Sequence, residues 1–384
     1  MKADRVEFDA DIALEYAARW ARPRRVGTPE HDRVAAEIET QLSAAGWRVR
    51  REAFHFSPVP DRVLKLLLAA ALGCVLIASL WRAAWAAGLL PLIALAVGPL
   101  NRRAQLAALK ADWRVGRPGA LHRGENLIAA WPDHPADARP HLYLVAHYDS
   151  KSQRLPLTAR IACFVLAAIG GLLTSALTLL NAAPEAVMPA GALTALAILP
   201  LLTLDVGNRS PGAIDNASGV GLVVHLAEVL ARRSVLDRLR VTILIPDAEE
   251  WFVMGASAYV RTHFDELRGE AQRLHMLNFD GIGVRGELHT VGGDKTIGLL
   301  HQLRTAAQGM SLPLKKFRLF GALFDHLPFE QHGFDAMSLI TVGAASRSVH
   351  TPHDEVSQLD ARGFEQAGRL ALRVIDQLIN QEVS

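Results

Sequence analysis

The sequence predicts an α/β protein: a mostly parallel mixed sheet with helices on both faces, carrying two inserted transmembrane helical hairpins. Three observations lead there. Short β-rich runs alternate with helical patterns along most of the 384 residues. Acidic and histidine residues stand just past several of those runs, at the carboxyl ends where open α/β sheets place their sites. Two pairs of apolar runs, 66–81 with 83–100 and 161–180 with 186–204, interrupt the alternation.

The opening segment reads as two helices. The second starts at Thr28-Pro29, and its stripe of Val34, Ile38 and Leu42 stops at Gly46. Trp47–Phe56 reads as an arginine-rich edge strand, closed by Pro58 and Pro60. After the first apolar pair, residues 101–123 form a basic juxtamembrane linker, partly amphipathic through Leu106, Leu109 and Trp113. Asn126–Trp131 and Leu142–Ala146 are short strands, the second ending in His147-Tyr-Asp149-Ser. The second apolar pair follows at once. Next comes Asp215 in a Gly/Ala-rich turn, with a helix from about Ala217 whose apolar face carries Val220, Val223, Val224 and Ala227. Taken alone, Asp215 would be an N-cap. Arg240–Ile245 is a buried-strand pattern ending in Asp247-Ala-Glu249-Glu250, and a helix begins near Met254. His275–Phe279 is a strand ending at Asp280, and strands at 287–291 and 337–342 alternate with helices at about 295–309 and 361–380.

Charge excludes one class of partner. The 41 basic and 39 acidic residues nearly cancel, so no global field favours nucleic acid. Cys74 and Cys163 both lie in apolar runs, which leaves neither a disulfide framework nor a thiolate zinc site. The run Ile161–Leu180 carries no charge and reaches the ~20 residues a bilayer crossing needs. Arg62, Lys65, Arg102, Arg103, Lys110, Arg114 and Arg117 border the first apolar pair, and Lys151, Arg154, Arg160 and Arg209 the second. The far-side connections carry only Arg82 and Glu185. The positive-inside rule therefore places the remaining domain on the cytoplasmic side of a bacterial-type inner membrane, and no signal peptide is visible in the charged, mixed first sixty residues. The expected partition is a domain of residues 1–56, 124–150 and 210–384, with hairpins at 62–100 and 160–206. A homodimer packed through the hairpins is compatible with this layout.

His147, Asp215, Glu249, Glu250, Asp280 and His350 form a histidine and carboxylate set without thiolate, suited to zinc, or to cobalt or manganese in its place. Five ligands, one able to bridge, suffice for two metals, which polarise a carbonyl and generate a hydroxide nucleophile near neutral pH. Adjacent glutamates point in different directions, so one can bind metal while the other accepts a proton. Asp149 can hold the far ring nitrogen of His147.

The motifs His147-Tyr-Asp-Ser, Gly212-Ala-Ile-Asp-Asn-Ala-Ser-Gly, Asp247-Ala-Glu-Glu, Asn278-Phe-Asp280 and His350-Thr-Pro-His-Asp resemble, in order, those of the co-catalytic di-zinc aminopeptidases. These are the relatives of aminopeptidase S, aminopeptidase Y and the glutamate carboxypeptidase catalytic domain. Gly27-Thr-Pro-Glu-His and Asp325-His-Leu-Pro-Phe are also similar, and the likeness covers nearly everything outside 57–123 and 151–209. The resemblance implies a zinc exopeptidase-like fold acting on peptides with a free N-terminus. It implies that Asp215 bridges two zinc ions, with His147 and Asp280 completing one site and Glu250 and His350 the other. Glu249 would be the general base that later protonates the leaving amine, and Asp149 would orient His147.

Some features depart from the family pattern. Trp251-Phe-Val-Met follows the glutamate pair where many relatives have a more glycine-rich turn, and no residue matches the family's oxyanion-stabilising side chain. His353 reads as a surface residue. Relatives commonly act outside the cytoplasm, whereas the flanking charges here place the domain inside. The second hairpin leaves the fold directly after Ser150, an expectation that puts the active-site mouth near the bilayer. Three other functions compete. A glutaminyl cyclase suits His147-Tyr-Asp-Ser-Lys151 and Asp325-His-Leu-Pro-Phe, but the full ligand set looks like the peptidase. A catalytically silent receptor would be expected to have lost ligands, and none is missing. A transporter usually needs a charged residue within a span, and none stands at a span's centre.

Overall fold

A computed structural model describes residues 7–108, 122–132, 139–233, 235–293, 298–318 and 322–381. The chain divides into two compact units: one of Met1–His55, Arg123–Ser152 and Asn208–Ser384, the other of Phe56–His122 and Gln153–Gly207.

The first unit is built on the sheet. It begins with α1 (Ala10–Trp20), α2 (Pro29–Ala44) and β1 (Arg48–Phe56), continues with β2 (His122–Ala130) and β3 (His141–Val145), and resumes after the second unit's helices. In the second unit, α3 (Val59–Trp81) pairs with α4 (Ala84–Ala108), and α5 (Leu157–Leu179) with α6 (Pro184–Leu202). Back in the first unit come α7 (Ser218–Arg232), β4 (Arg240–Ile245), α8 (Met254–Thr262), α9 (Phe264–Gly269) and β5 (Leu274–Phe279). The chain ends with β6 (Glu287–Gly292), α10 (Gly298–Gly309), β7 (Leu314–Lys316), α11 (His326–Gln331), β8 (Asp335–Val342) and α12 (Ala361–Gln381).

Among the described residues, eight strands form one sheet in the order β1-β2-β4-β3-β5-β8-β6-β7. The central four, β4, β3, β5 and β8, are parallel, whereas β2 runs antiparallel to β4 and β6 antiparallel to β8. Alternation along β3 shows why its run is apolar throughout. Leu142 and Leu144 join the core beneath α1, α2, α7, α10 and α12. Tyr143 and Val145 join the opposite core, with Tyr259 of α8, Leu267 of α9 and Phe329 of α11. Helices thus cover both faces, as expected.

Local chemistry explains the element ends. Thr28 caps α2 by accepting the His31 N–H, with Pro29 in the first turn, and Val34, Ile38 and Leu42 are fully buried. Three short elements, β7, α9 and α11, escape sequence reasoning, because pieces of three to six residues carry too little periodicity. α4 runs on through Ala108, so the basic linker begins as helix. Its later part, with Leu109, Lys110, Trp113, Arg114 and Arg117, lies outside the described residues.

Among the described residues, five helices are long and apolar enough to cross a membrane by length and composition. The stretch Ala213–Arg232 is 94% buried within the folded chain, which marks α7 as a core helix. The other four are 17–44% buried. Within the second unit, Leu68, Val75, Ala78, Ala87, Leu90 and Ile198 make a core of their own. The Ser175 hydroxyl donates to the Ala87 carbonyl at 2.8 Å, and Lys65 pairs with Asp205 at 2.6 Å.

Candidate metal centre

Four strand ends and one helix start converge. His147 and Asp149 follow β3, Glu249 and Glu250 follow β4, Asp280 follows β5, and His350 lies beyond β8. Asp215 stands in the loop that opens α7, where its peptide to Asn216 is cis. The structure brings all seven of these residues together.

Asp215 is the centre of the cluster. Its Oδ1 lies 3.1 Å from His147 Nε2, and its Oδ2 lies 2.9 Å from His350 Nε2. On one side, His147 Nε2 is 3.8 Å from Asp280 Oδ2. On the other, His350 Nε2 is 3.2 Å from Glu250 Oε2. Two groups of donors, His147–Asp215–Asp280 and Asp215–Glu250–His350, each fall within 4.8 Å and share the one carboxylate. Glu249 approaches His147 Nε2 at 3.9 Å without joining either triad.

The site's fit to metal can be tested on its own atoms. His147 is fully buried, yet neither ring nitrogen makes a hydrogen bond among the described residues, and the same holds for Glu250 Oε1 and His350 Nδ1. Buried polar atoms are rarely left so. A divalent cation in the His147–Asp215–Asp280 triad would take up His147 Nε2, and one in each triad would offset the acidic excess; the N/O donor set suits zinc. The residues fit the group.

Electrostatics follow from burial against neighbours. Burial raises Asp215, but His147 and His350 outweigh it and hold the carboxyl well below the ordinary range. Burial lifts Glu249 well above that range; His147 opposes this, while Glu250, Asp280 and Asp325 add to it. Asp280 is likewise raised by burial and by Asp215. Burial lowers both histidines, yet Glu249 beside His147 and Glu250 beside His350 carry them above the usual imidazole value.

The supporting contacts explain the positions. Asp149 lies 3.3 Å from His147 Nδ1, and it also accepts the Glu249 N–H at 3.0 Å and the Glu250 N–H at 3.3 Å. It therefore ties the β3 end to the glutamate pair, a link the sequence does not suggest. Asn216 accepts the Gly219 and Gly281 N–H groups and donates to the Phe279 carbonyl, sewing the Asp215 loop to β5. Gly212 holds φ +60, and a Cβ there would meet the Asp215 carbonyl oxygen at 2.6 Å. In the Trp251 turn, Ala248, Phe252 and Val253 take left-handed conformations where glycine would be free of strain. Asp247 anchors that turn, accepting the Ala248 and Glu125 N–H groups and meeting His31 at 2.8 Å. His353 is exposed, as expected.

Sequence reasoning gives no role to Arg24, Asp325 or Asp354. Asp354 is fully buried and accepts the Ile214 N–H at 2.6 Å and the Asp215 N–H at 3.3 Å, presetting the bridging loop. In the sequence it is only the last letter of the His350 motif. Asp325 is fully buried with both oxygens unpartnered among the described residues, and burial pushes it up to about 7. Beside it, His326 donates or accepts at Ser338 Oγ, 2.7 Å away. Burial pushes that imidazole down to about 3.

Arg24 is fully buried and spans two loops. Its guanidinium donates to the Tyr148 carbonyl at 2.6 Å, to Pro211 at 2.6 Å and to Gly212 at 2.9 Å. Nothing in Arg22-Pro-Arg24-Arg25 marks which arginine turns inward. Arg24→Met leaves these carbonyls unpaired and should destabilise the unit by roughly 3–5 kcal/mol, since each buried acceptor left unsatisfied costs about 1–3 kcal/mol. Arg24→Lys should recover little of it, because an ammonium lacks the planar fork. Urea denaturation reads both; a loss under ~1 kcal/mol for the methionine variant would mean that the two loops hold without the guanidinium.

Fold and donor cluster together place the chain among α/β proteins of the zinc-peptidase architecture. It belongs to peptidase family M28, whose family model matches residues 126–375. Aminopeptidase YwaD of Bacillus subtilis (strain 168) is 28% identical over 186 residues, which cover 45% of this chain and 39% of that one. The chain therefore spans well under half the length of this curated relative. In fold it is similar to BSAP, a zinc aminopeptidase from Bacillus subtilis, with a TM-score of 0.58 at 16% identity, covering 97% of this chain and 96% of that one. It is similar also to a glutaminyl cyclase of Porphyromonas gingivalis, with a TM-score of 0.56 at 15% identity, covering 96% and 98%.

Proposed function

We propose that the protein is a membrane-bound di-zinc aminopeptidase that hydrolyses the N-terminal bond of peptides with a free α-amine. The carrying observation is the position of Asp215, one oxygen toward each histidine and a carboxylate-bearing triad on either side. His147, Asp215 and Asp280 would hold one zinc, and Asp215, Glu250 and His350 the other. Bound zinc would polarise the scissile carbonyl and acidify the attacking water. Glu249, in neither triad, takes the proton from that water and delivers it to the leaving amine. Asp149 holds the Glu249 and Glu250 backbone in register with His147. Family membership and the resemblance to a curated aminopeptidase support the same reading.

Membrane attachment rests on α3–α6. Leu95 is 75% and Trp81 74% exposed, apolar surface that water would not favour and lipid would cover. The flanking arginines and lysines favour a cytoplasmic catalytic unit.

A second reading, glutaminyl-peptide cyclisation, draws on the buried Asp325-His326 pair and on the cyclases among the similar folds. One experiment separates them. Protein recovered from carbonate-washed membranes is incubated with peptides bearing free, acetylated or glutaminyl N-termini, and products are weighed by mass spectrometry. We expect stepwise loss of N-terminal residues from free-amine peptides only, abolished by chelator. Loss of ammonia confined to glutaminyl peptides would establish the cyclase instead, and recovery in the carbonate supernatant would remove the membrane assignment.

A further inference from the structure

The two triads differ in one respect that the ligand set does not reveal. Lys151, two residues past Asp149 and only 14% exposed at its side chain, places Nζ 2.5 Å from Glu250 Oε2. That oxygen is the same one that faces His350 at 3.2 Å. Lys151 also reaches the Glu250 carbonyl oxygen at 3.5 Å, so the ammonium sits along the residue. With His350 it holds the Glu250 carboxyl below its ordinary value against the effect of burial. The other triad has no such occupant: among the described residues, no lysine or arginine forms an ion pair with Asp280 or Glu249. Its neighbours are carboxylates, Glu249 and Asp325 among them.

We propose that Lys151 is a built-in competitor for the cation of the Asp215–Glu250–His350 half-site, making the two metal positions unequal. This rests on the two-metal reading above. The chemistry is direct. A monovalent ammonium already neutralises the oxygen that a divalent ion must take, so loading that half-site requires the lysine to give up its closest ion pair and tolerate a nearby dication. The His147–Asp215–Asp280 half-site carries no such cost. It fills first and tightly, and the Glu250 half-site exchanges its ion with the surroundings. Lys151 is a positioning residue of the metal centre, acting through Glu250.

The test is metal binding by the full chain in detergent, without reference to turnover. Zinc is titrated calorimetrically into chelator-stripped protein, and cobalt is titrated in parallel with its visible spectrum as a second readout. The wild type should bind two ions, the second at least ~10-fold more weakly, since each tenfold step is one decade in Kd. Lys151→Met should tighten the second event at least ~10-fold while moving the first by less than ~3-fold, and Lys151→Arg should keep the wild-type gap. Two equal sites in the wild type would overturn the proposal, as would a second event unchanged or weakened in Lys151→Met. The cobalt spectrum of the wild type alone decides the first point should a variant fold poorly. Absence of any bound ion would overturn the two-metal reading itself, an outcome distinct from two ions bound with equal strength.

Discussion

Glu249→Gln is expected to lower kcat on a free-amine peptide by roughly 100- to 10,000-fold, the range general acid–base catalysis supplies. The substitution keeps shape and the ability to hydrogen-bond, and removes only the capacity to take and return a proton. The backbone it stands on is held by Asp149, which accepts the residue's own N–H, so the loop has no cause to move. Burial, with the carboxylates of Glu250 and Asp280, raises the Glu249 carboxyl well above its ordinary range, although His147 opposes this. Zinc content should stay within a few-fold of the wild type, because Glu249 lies in neither triad. Glu250→Gln should behave in the opposite way, losing metal together with activity. Steady-state kinetics beside metal analysis separates the two glutamates. Retention of more than a tenth of the wild-type kcat by Glu249→Gln would give the proton transfer to another residue.

Much of the arrangement behind that expectation is legible in the sequence, and the boundary of legibility has physical causes. The buried run Arg240–Ile245 is β4 to the residue, and the stripe from Val220 to Ala227 lies on α7. Strand length and helix period are local properties, written in neighbouring side chains. The chemistry-bearing residues can be placed because each follows such a run. Arg24 and Asp354 cannot. Both act by bonding backbone groups of segments more than a hundred residues away, and a backbone carbonyl leaves no mark in a sequence. The reversal of β2 and β6 on either side of the parallel centre is hidden for the same reason. The left-handed turn at Ala248, Phe252 and Val253 shows the reverse failure. Residue type argues against that backbone, and it exists because Asp247 and Asp149 bond it from both sides.

Metal-free protein is expected to lose stability as pH rises from about 5 to 8, and zinc to reverse that trend. Asp325 and Asp354 are each pushed up to about 7, first by burial, against an unfolded value near 3.9. Between those values the unfolded chain releases protons that the folded chain retains, so stability present below pH ~4 is lost as pH climbs toward 7. Glu249 and Asp280, raised by burial, act in the same direction. His147 and His350 are raised as well, by Glu249 and Glu250 against burial. Their contribution is full below the unfolded value of ~6.5 and is lost as pH passes their folded values. Asp215 and Glu250, held low, have the opposite sign, but their window is the acid range below ~4. Above pH 5 the raised acids and histidines of the cluster therefore pull one way. Each tenfold difference in proton affinity between folded and unfolded chain is worth about 1.4 kcal/mol, so even a partial expression of these effects amounts to several kcal/mol, or a fall in Tm of at least ~5 °C. Zinc binds the ionised carboxylates and neutral imidazoles, so its affinity rises over the same range and it stabilises the folded state by mass action. The two melting curves should thus diverge with rising pH, nearly coincident at pH 5 and furthest apart at pH 8. A flat or rising Tm for the stripped protein across that interval would mean that the buried carboxyls are already ionised and paired, and that the donor cluster is stable without a cation.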